Sequence, residues 1–158
     1  MSEQGTLPRR VVELLTAAGQ TVAAAESLTA GLVCSTLAEV PGSSVVLRGG
    51  LVVYATELKH ELAGVSSALL EAEGAVHPEV AAQLAAGARD RCRSDWGLGL
   101  TGVAGPAPQD GVAPGTVHVA ACGPDGRHAR TLEISGDRDA VRTGAVRGAL
   151  VLLAEQLG

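Results

Sequence analysis

The segment Thr21–Ala25, TVAAA, constrains this chain more than any other. It is short, apolar and built of small residues, which suits a strand buried on both faces of a sheet. It runs directly into the polar turn Glu26–Gly31, ESLTAG, after which helical spacing resumes through Leu32, Val33 and Leu37 to about Val40. Strand, polar turn and helix in succession are the building unit of an α/β protein.

The remaining sequence extends that pattern. Pro8 to Ala18 reads as a helix with Val11, Val12, Leu14 and Leu15 on its apolar side, opened by Pro8 and closed by Gly19. Pro41-Gly42-Ser43-Ser44 stops the next helix. Val45–Leu47 and Leu51–Tyr54 then predict a bent or paired strand interrupted by Gly49 and Gly50. Short helices are expected at Thr56–Ala63 and Ser66–Glu73, and a longer one from Pro78 to about Arg93. Trp96–Leu100 reads as a strand leading into the loop Thr101–Pro106. Residues 107–114 have no periodicity and suit a mobile loop. Thr116–Cys122 and Arg127–Ile134 flank Gly123-Pro124-Asp125-Gly126 as a hairpin, and Asp137 caps a final helix, Ala140–Leu157. The expected fold is one α/β domain over residues 8–157, a three-layer α/β/α sandwich around a mixed sheet.

Several function classes are excluded by composition. A formal charge of −5 argues against a general nucleic-acid binder, and one Trp and one Tyr are too few for a base-stacking platform. No apolar run reaches the roughly 18 residues of a membrane span, and MSEQGTLPRR lacks the apolar stretch of a secretory signal. Cys34, Cys92 and Cys122 are odd in number and widely spaced. They form no metal-ligand pattern and fit reduced, small core thiols in a cytoplasm. His60, His77, His118 and His128 lie in different elements with no ligand or triad spacing.

One pair of residues stands out chemically. Of the twelve basic residues eleven are Arg, so Lys59 is the only lysine, and it lies five residues from the only tyrosine, Tyr54. Both fall at a strand-to-helix turn, where open α/β sheets bind ligands. A lysine in a drier site has its ammonium destabilised and can serve as the base toward a serine hydroxyl. Ser27 and the pair Ser43-Ser44 are the serines available. Ser27, Thr29 and Gly31 sit at a helix start whose backbone N–H groups can hold an oxyanion. Gly102 and Gly105 in TGVAG, next to Thr101, leave room for a ligand to approach the backbone. Arg138 and Arg142, one helical turn apart, suit a phosphate or carboxylate.

Taken together, AESLTAG, VPGSS, GGLVVYATELKHELAGV, GAVHPEVAAQLAAGAR, LGLTGVAGP, GTVHVA and SGDRDAVR resemble the CinA C-terminal domain family over nearly the whole chain. Enzymatically active members of that family are nicotinamide-nucleotide amidohydrolases. The resemblance implies hydrolysis of the carboxamide of nicotinamide mononucleotide to nicotinate mononucleotide and ammonia, with no metal or redox cofactor, in a cytoplasmic homo-oligomer. It implies serine–lysine chemistry at Lys59 with Tyr54 beside it, Ser44 as the expected nucleophile and Ser27 as the alternative. Thr29, Gly31, Thr101, Gly102 and Gly105 would line the substrate site, and Arg138 and Arg142 would approach the phosphate. Two segments depart from the family pattern: the common ESCTGG is ESLTAG here, and the glycine-rich stretch after AGP is APQDGVAPG. The rewritten loop favours a rival reading, a catalytically silent nucleotide-sensing or protein-interaction module related to competence and DNA-damage proteins.

Overall fold

A computed structural model describes residues 3–158. Helix α1 (Glu3–Ala18) is followed by β1 (Val22–Glu26), α2 (Leu32–Ala38), a 3-10 turn (Ser43–Val45) and β2 (Leu47–Val52). Next come α3 (Thr56–Glu61), α4 (Ser67–Glu73), α5 (Pro78–Cys92), β3 (Trp96–Gly102), β4 (Thr116–Gly123), β5 (Gly126–Glu133) and α6 (Arg138–Leu157). The strands form one five-stranded mixed sheet in the order β2-β1-β3-β4-β5. β1 is parallel to both β2 and β3, and the β3–β4–β5 portion is antiparallel.

Alternation along each strand divides the core into two layers. Val22 and Ala24 of β1, Leu98 and Leu100 of β3, and Val117 and Val119 of β4 pack against α1, α2 and α6. Ala23 and Ala25 face the other way, toward Val65, Leu70, Val80 and Leu84 of the α3–α5 layer. The result is a three-layer α/β/α domain. No helix among the described residues is long and apolar enough to cross a membrane.

Small residues make these layers close. A Cβ on Gly99 would stand 2.1 Å from the carbonyl oxygen of Ala81, and one on Gly97 would stand 2.0 Å from that of Ala85. α5 therefore rests on β3 backbone to backbone. Helix and strand must each be bare at the contact, which explains the Ala-rich inner stripe of α5.

Three expectations about the elements change. α1 starts at Glu3, so Pro8 lies inside it and forgoes the bond its absent N–H would make one turn back. Gly49 and Gly50 do not interrupt a strand: both pair with β1 inside the continuous β2. Gly50 is required there because a Cβ would come within 2.5 Å of the Cys34 sulfur. Val45, read as strand, belongs to the 3-10 turn. Loop 107–114 is pinched by reciprocal backbone bonds between Gln109 and Val112, at 3.1 and 2.8 Å.

The close approach of α5 has a direct consequence. Gly99→Ala should lower unfolding stability by about 3 kcal/mol or more, read as a shift of the urea midpoint, because neither backbone can yield. Gly126→Ala, where an added Cβ meets nothing within 4 Å, should be tolerated better despite its positive φ.

Candidate active site

Chain order creates the site. From β1 the chain moves out to β2 through α2 on one face, then returns past β1 to β3 through α3–α5 on the other. The carboxyl ends of β1 and β3 thus flank the crevice where connections diverge, the usual ligand position in such sheets. A cleft of about 430 Å³ lies there, within the size range of small-molecule sites. It is lined by Ser27 and Leu28 after β1, Tyr54 after β2, Ala75 and Val76 before α5, residues 101–109, and Arg138 at the start of α6. Arg138 is the only charged side chain among the described residues that line it, so the cleft favours an anionic ligand despite the chain's negative net charge.

The turn carrying Ser27 is tightly built. Ser27 N–H donates to Leu100 O at 3.1 Å and its carbonyl accepts from Ala30 N–H at 3.0 Å. Ala30 and Gly31 then take left-handed conformations, φ 47° and 97°, before α2 begins. For Ala30 this costs about 1 kcal/mol, at a position where the family pattern has glycine. Leu28, the other departure in this motif, joins the apolar core beneath the turn. The N–H groups of Leu28 and Thr29 find no acceptor among the described residues.

Glu26, which the sequence reading left without a role, secures this turn. Its side chain is 1% exposed, and the carboxylate accepts from the N–H groups of Val33 at 2.8 Å and Cys34 at 3.2 Å. A negative group there satisfies free N–H groups at the α2 start and complements the helix dipole. The sequence signal was a glutamate between a buried strand and a helix start.

Lys59 is also 1% exposed, the largest fully buried side chain among the described residues. Its Nζ donates to the carbonyls of Val53 at 2.9 Å and Tyr54 at 3.1 Å. Burial pulls its pKa down to about 8, with the Glu57 charge opposing. Val53 N–H donates to Glu26 O at 2.9 Å, continuing the β1–β2 pairing, so Ser27 follows directly beside the segment that holds the lysine. Ala23 and Ala25 face the α3–α5 side of the sheet, where α3 carries Lys59. No hydrogen bond joins Ser27 Oγ to Lys59 Nζ among the described residues.

Ser44 lies elsewhere. It is exposed in the 3-10 turn that precedes β2, whereas Lys59 is held beyond the far end of that strand. β2 and the residue after it separate them by roughly 20 Å at strand rise. Within one chain Ser44 does not reach the lysine, and Ser27 takes its place as the serine at the cleft.

The other expected residues divide into two groups. Thr101, Gly102 and Gly105 line the cleft. Thr101 Oγ1 donates to Ala75 O at 2.7 Å, closing the cleft floor. Gly102 makes room for β4 rather than for a ligand, since a Cβ would stand 2.7 Å from Thr116 O. Arg138 spans the opening: Nη2 donates to the Tyr54 hydroxyl and Nη1 to Gly105 O, both at 2.8 Å. Tyr54 is 55% exposed, and Lys59 contacts its carbonyl rather than its hydroxyl. Thr29, Gly31 and Arg142 do not line the cleft. Thr29 is fully buried and its Oγ1 has no partner among the described residues. Arg142 donates from Nε to Leu28 O at 2.9 Å and from Nη2 to Thr29 O at 3.1 Å.

Comparison with known proteins gives one consistent answer. Residues 4–157 match the family model for the CinA C-terminal domain. A CinA-like protein of Frankia casuarinae is 48% identical over 147 residues, covering 93% of this chain and 34% of the relative. A putative competence-damage inducible protein of Geobacillus kaustophilus is 43% identical, covering 96% of this chain and 37% of the relative. The chain therefore spans about a third of the length of these curated relatives. Crystal structures of competence/damage inducible proteins superpose closely. That of CihA from Agrobacterium tumefaciens has TM-score 0.93 at 33% identity, covering 98% of this chain and 96% of the other. The one from Enterobacter asburiae has TM-score 0.95 at 31% identity, with full coverage of both.

Burial of Lys59 makes stability depend on pH in a defined direction. With its folded pKa near 8 and the ordinary lysine value at 10.5, the unfolded chain binds more protons between those values. Stability therefore rises with pH across that window. Denaturant titrations should show wild type gaining on Lys59→Met between pH 8 and 10.5. Parallel pH profiles for the two proteins would contradict it.

Proposed function

The chain belongs to the CinA C-terminal domain family, and on that premise we propose that its cleft hydrolyses the carboxamide of nicotinamide mononucleotide to nicotinate mononucleotide and ammonia. The observation that carries this reading is a buried lysine whose amine holds the carbonyl of Tyr54, a residue of the cleft that Ser27 also lines, with a cation across the opening. The neutral amine of Lys59 accepts the Ser27 hydroxyl proton as Oγ attacks the carboxamide carbon. The unpaired N–H group of Leu28, next to the nucleophile in the same turn and at the cleft, stabilises the tetrahedral oxyanion. Protonated Lys59 returns its proton to the departing nitrogen, ammonia leaves, and water, deprotonated by the same amine, hydrolyses the ester on Ser27. Arg138 draws the nucleotide phosphate to the mouth of the cleft. Tyr54, its hydroxyl tied to Arg138, orients that guanidinium and offers an exposed ring to the pyridinium.

This scheme assigns the amine two tasks, and a pKa near 8 suits both. Ammonia release from nicotinamide mononucleotide should show kcat/KM rising with pH and levelling off above about 8, as the neutral amine becomes the main form. Lys59→Ala and Ser27→Ala should each lose about 100-fold or more, while Ser44→Ala stays near wild type. Full turnover by Lys59→Ala would end the mechanism. Nucleotide binding without turnover by wild type at any pH would favour the silent sensing module.

A further inference from the structure

Arg142 was expected at the phosphate, yet its hydrogen bonds point elsewhere. Nε and Nη2 hold two consecutive carbonyls, those of Leu28 and Thr29. Its backbone is fixed because Val141 and Ala145 of the same helix are buried in the core. The two carbonyls belong to the turn that carries Ser27, and Glu26 grips the far end of that turn through Val33 and Cys34. The turn is thus braced at both ends, by a cation on its carbonyls and by an anion on the first N–H groups of the helix it leads into.

A peptide unit is planar, and in the trans form its C=O and N–H point in opposite directions. Holding Leu28 O therefore fixes the direction of the Thr29 N–H in the same unit. A cation on the oxygen also polarises that unit, which strengthens its N–H as a donor. Thr29 N–H is one of the groups without an acceptor in the turn. Holding Thr29 O likewise fixes the unit whose N–H, from Ala30, closes the turn onto Ser27 O at 3.0 Å. The brace also stabilises a conformation that Ala30, at φ 47°, adopts with strain.

We infer that Arg142 is a positioning residue that aims the Ser27 turn and its N–H donors, and that it makes no contact with the substrate's phosphate. The inference rests on the amidohydrolase reading above and divides the labour of α6. Arg138, at its first residue, meets the anionic end of the ligand, while Arg142, one turn later, serves the reacting end.

The test compares nicotinamide mononucleotide with its phosphate-free nucleoside, nicotinamide riboside, as substrates of wild type, Arg142→Gln, Arg142→Lys and Arg138→Gln. Arg142→Gln should lose about 100-fold in kcat on both substrates with little change in KM. Arg142→Lys, which can still donate to a carbonyl, should recover part of that loss. Arg138→Gln should instead raise KM for the nucleotide alone. A KM increase confined to the phosphorylated substrate in Arg142→Gln would overturn the inference, as would unchanged kcat. Amide hydrogen exchange provides a readout independent of turnover. In Arg142→Gln the Ala30 and Leu32 amides should exchange about tenfold faster while β4 amides keep their protection; unchanged exchange at both positions would also overturn it. If wild type releases no ammonia from either amide, the hydrolase reading fails, and the exchange arm still decides whether Arg142 holds the turn.

Discussion

Taking the ε-amino group of Lys59 out of water costs several kcal/mol, and the fold offsets this with two main-chain carbonyls rather than a carboxylate. A carboxylate partner would have held the ammonium charged. Carbonyl dipoles hold it more weakly, so the pKa falls toward 8 and the neutral amine becomes accessible near physiological pH. That choice of partner requires a strand whose last carbonyls turn toward a short helix, with α3 starting at once after β2. It also requires a serine directly after the neighbouring strand, which the turn following β1 supplies.

The sheet order makes this meeting possible. Because β1 lies between β2 and β3, its carboxyl end is bordered on one side by the lysine's carbonyls and on the other by Thr101 and the loop that follows β3. α6 then reaches back over this edge from the end of the chain. Its first two turns place one guanidinium across the cleft and another behind the Ser27 turn. Residues distant in sequence thus converge on a few peptide units, and the glycines of β3 let α5 pack directly on the strand that carries Thr101.

Much of this was legible because the signals are local. TVAAA followed by a polar turn and a helix gave β1 and α2, Asp137 was a recognisable cap and does accept from Ala140, and the singularity of Lys59 marked the central amine. What was not legible depends on the end of the sheet at which a turn emerges. ESLTAG and PGSS look equally suited to present a serine, but one leaves a strand and the other enters one. Only register separates them. The contacts of Arg142 were hidden for a similar reason: helical spacing puts it near Arg138, but whether a guanidinium faces a cleft or the back of a turn depends on a segment more than a hundred positions away. Gly50 looked like part of a strand break because sequence does not show that the Cys34 sulfur occupies the space of a side chain there.

The account turns on Ser27 as the residue that becomes acylated beside Lys59. Rapid quenching of wild type during turnover of nicotinamide mononucleotide, followed by peptide mass mapping, tests this most directly. The account predicts a nicotinate mononucleotide adduct on the peptide carrying Ser27, absent from Ser27→Ala and unaffected in Ser44→Ala. An adduct on the peptide carrying Ser44, or steady turnover by Ser27→Ala, would contradict it.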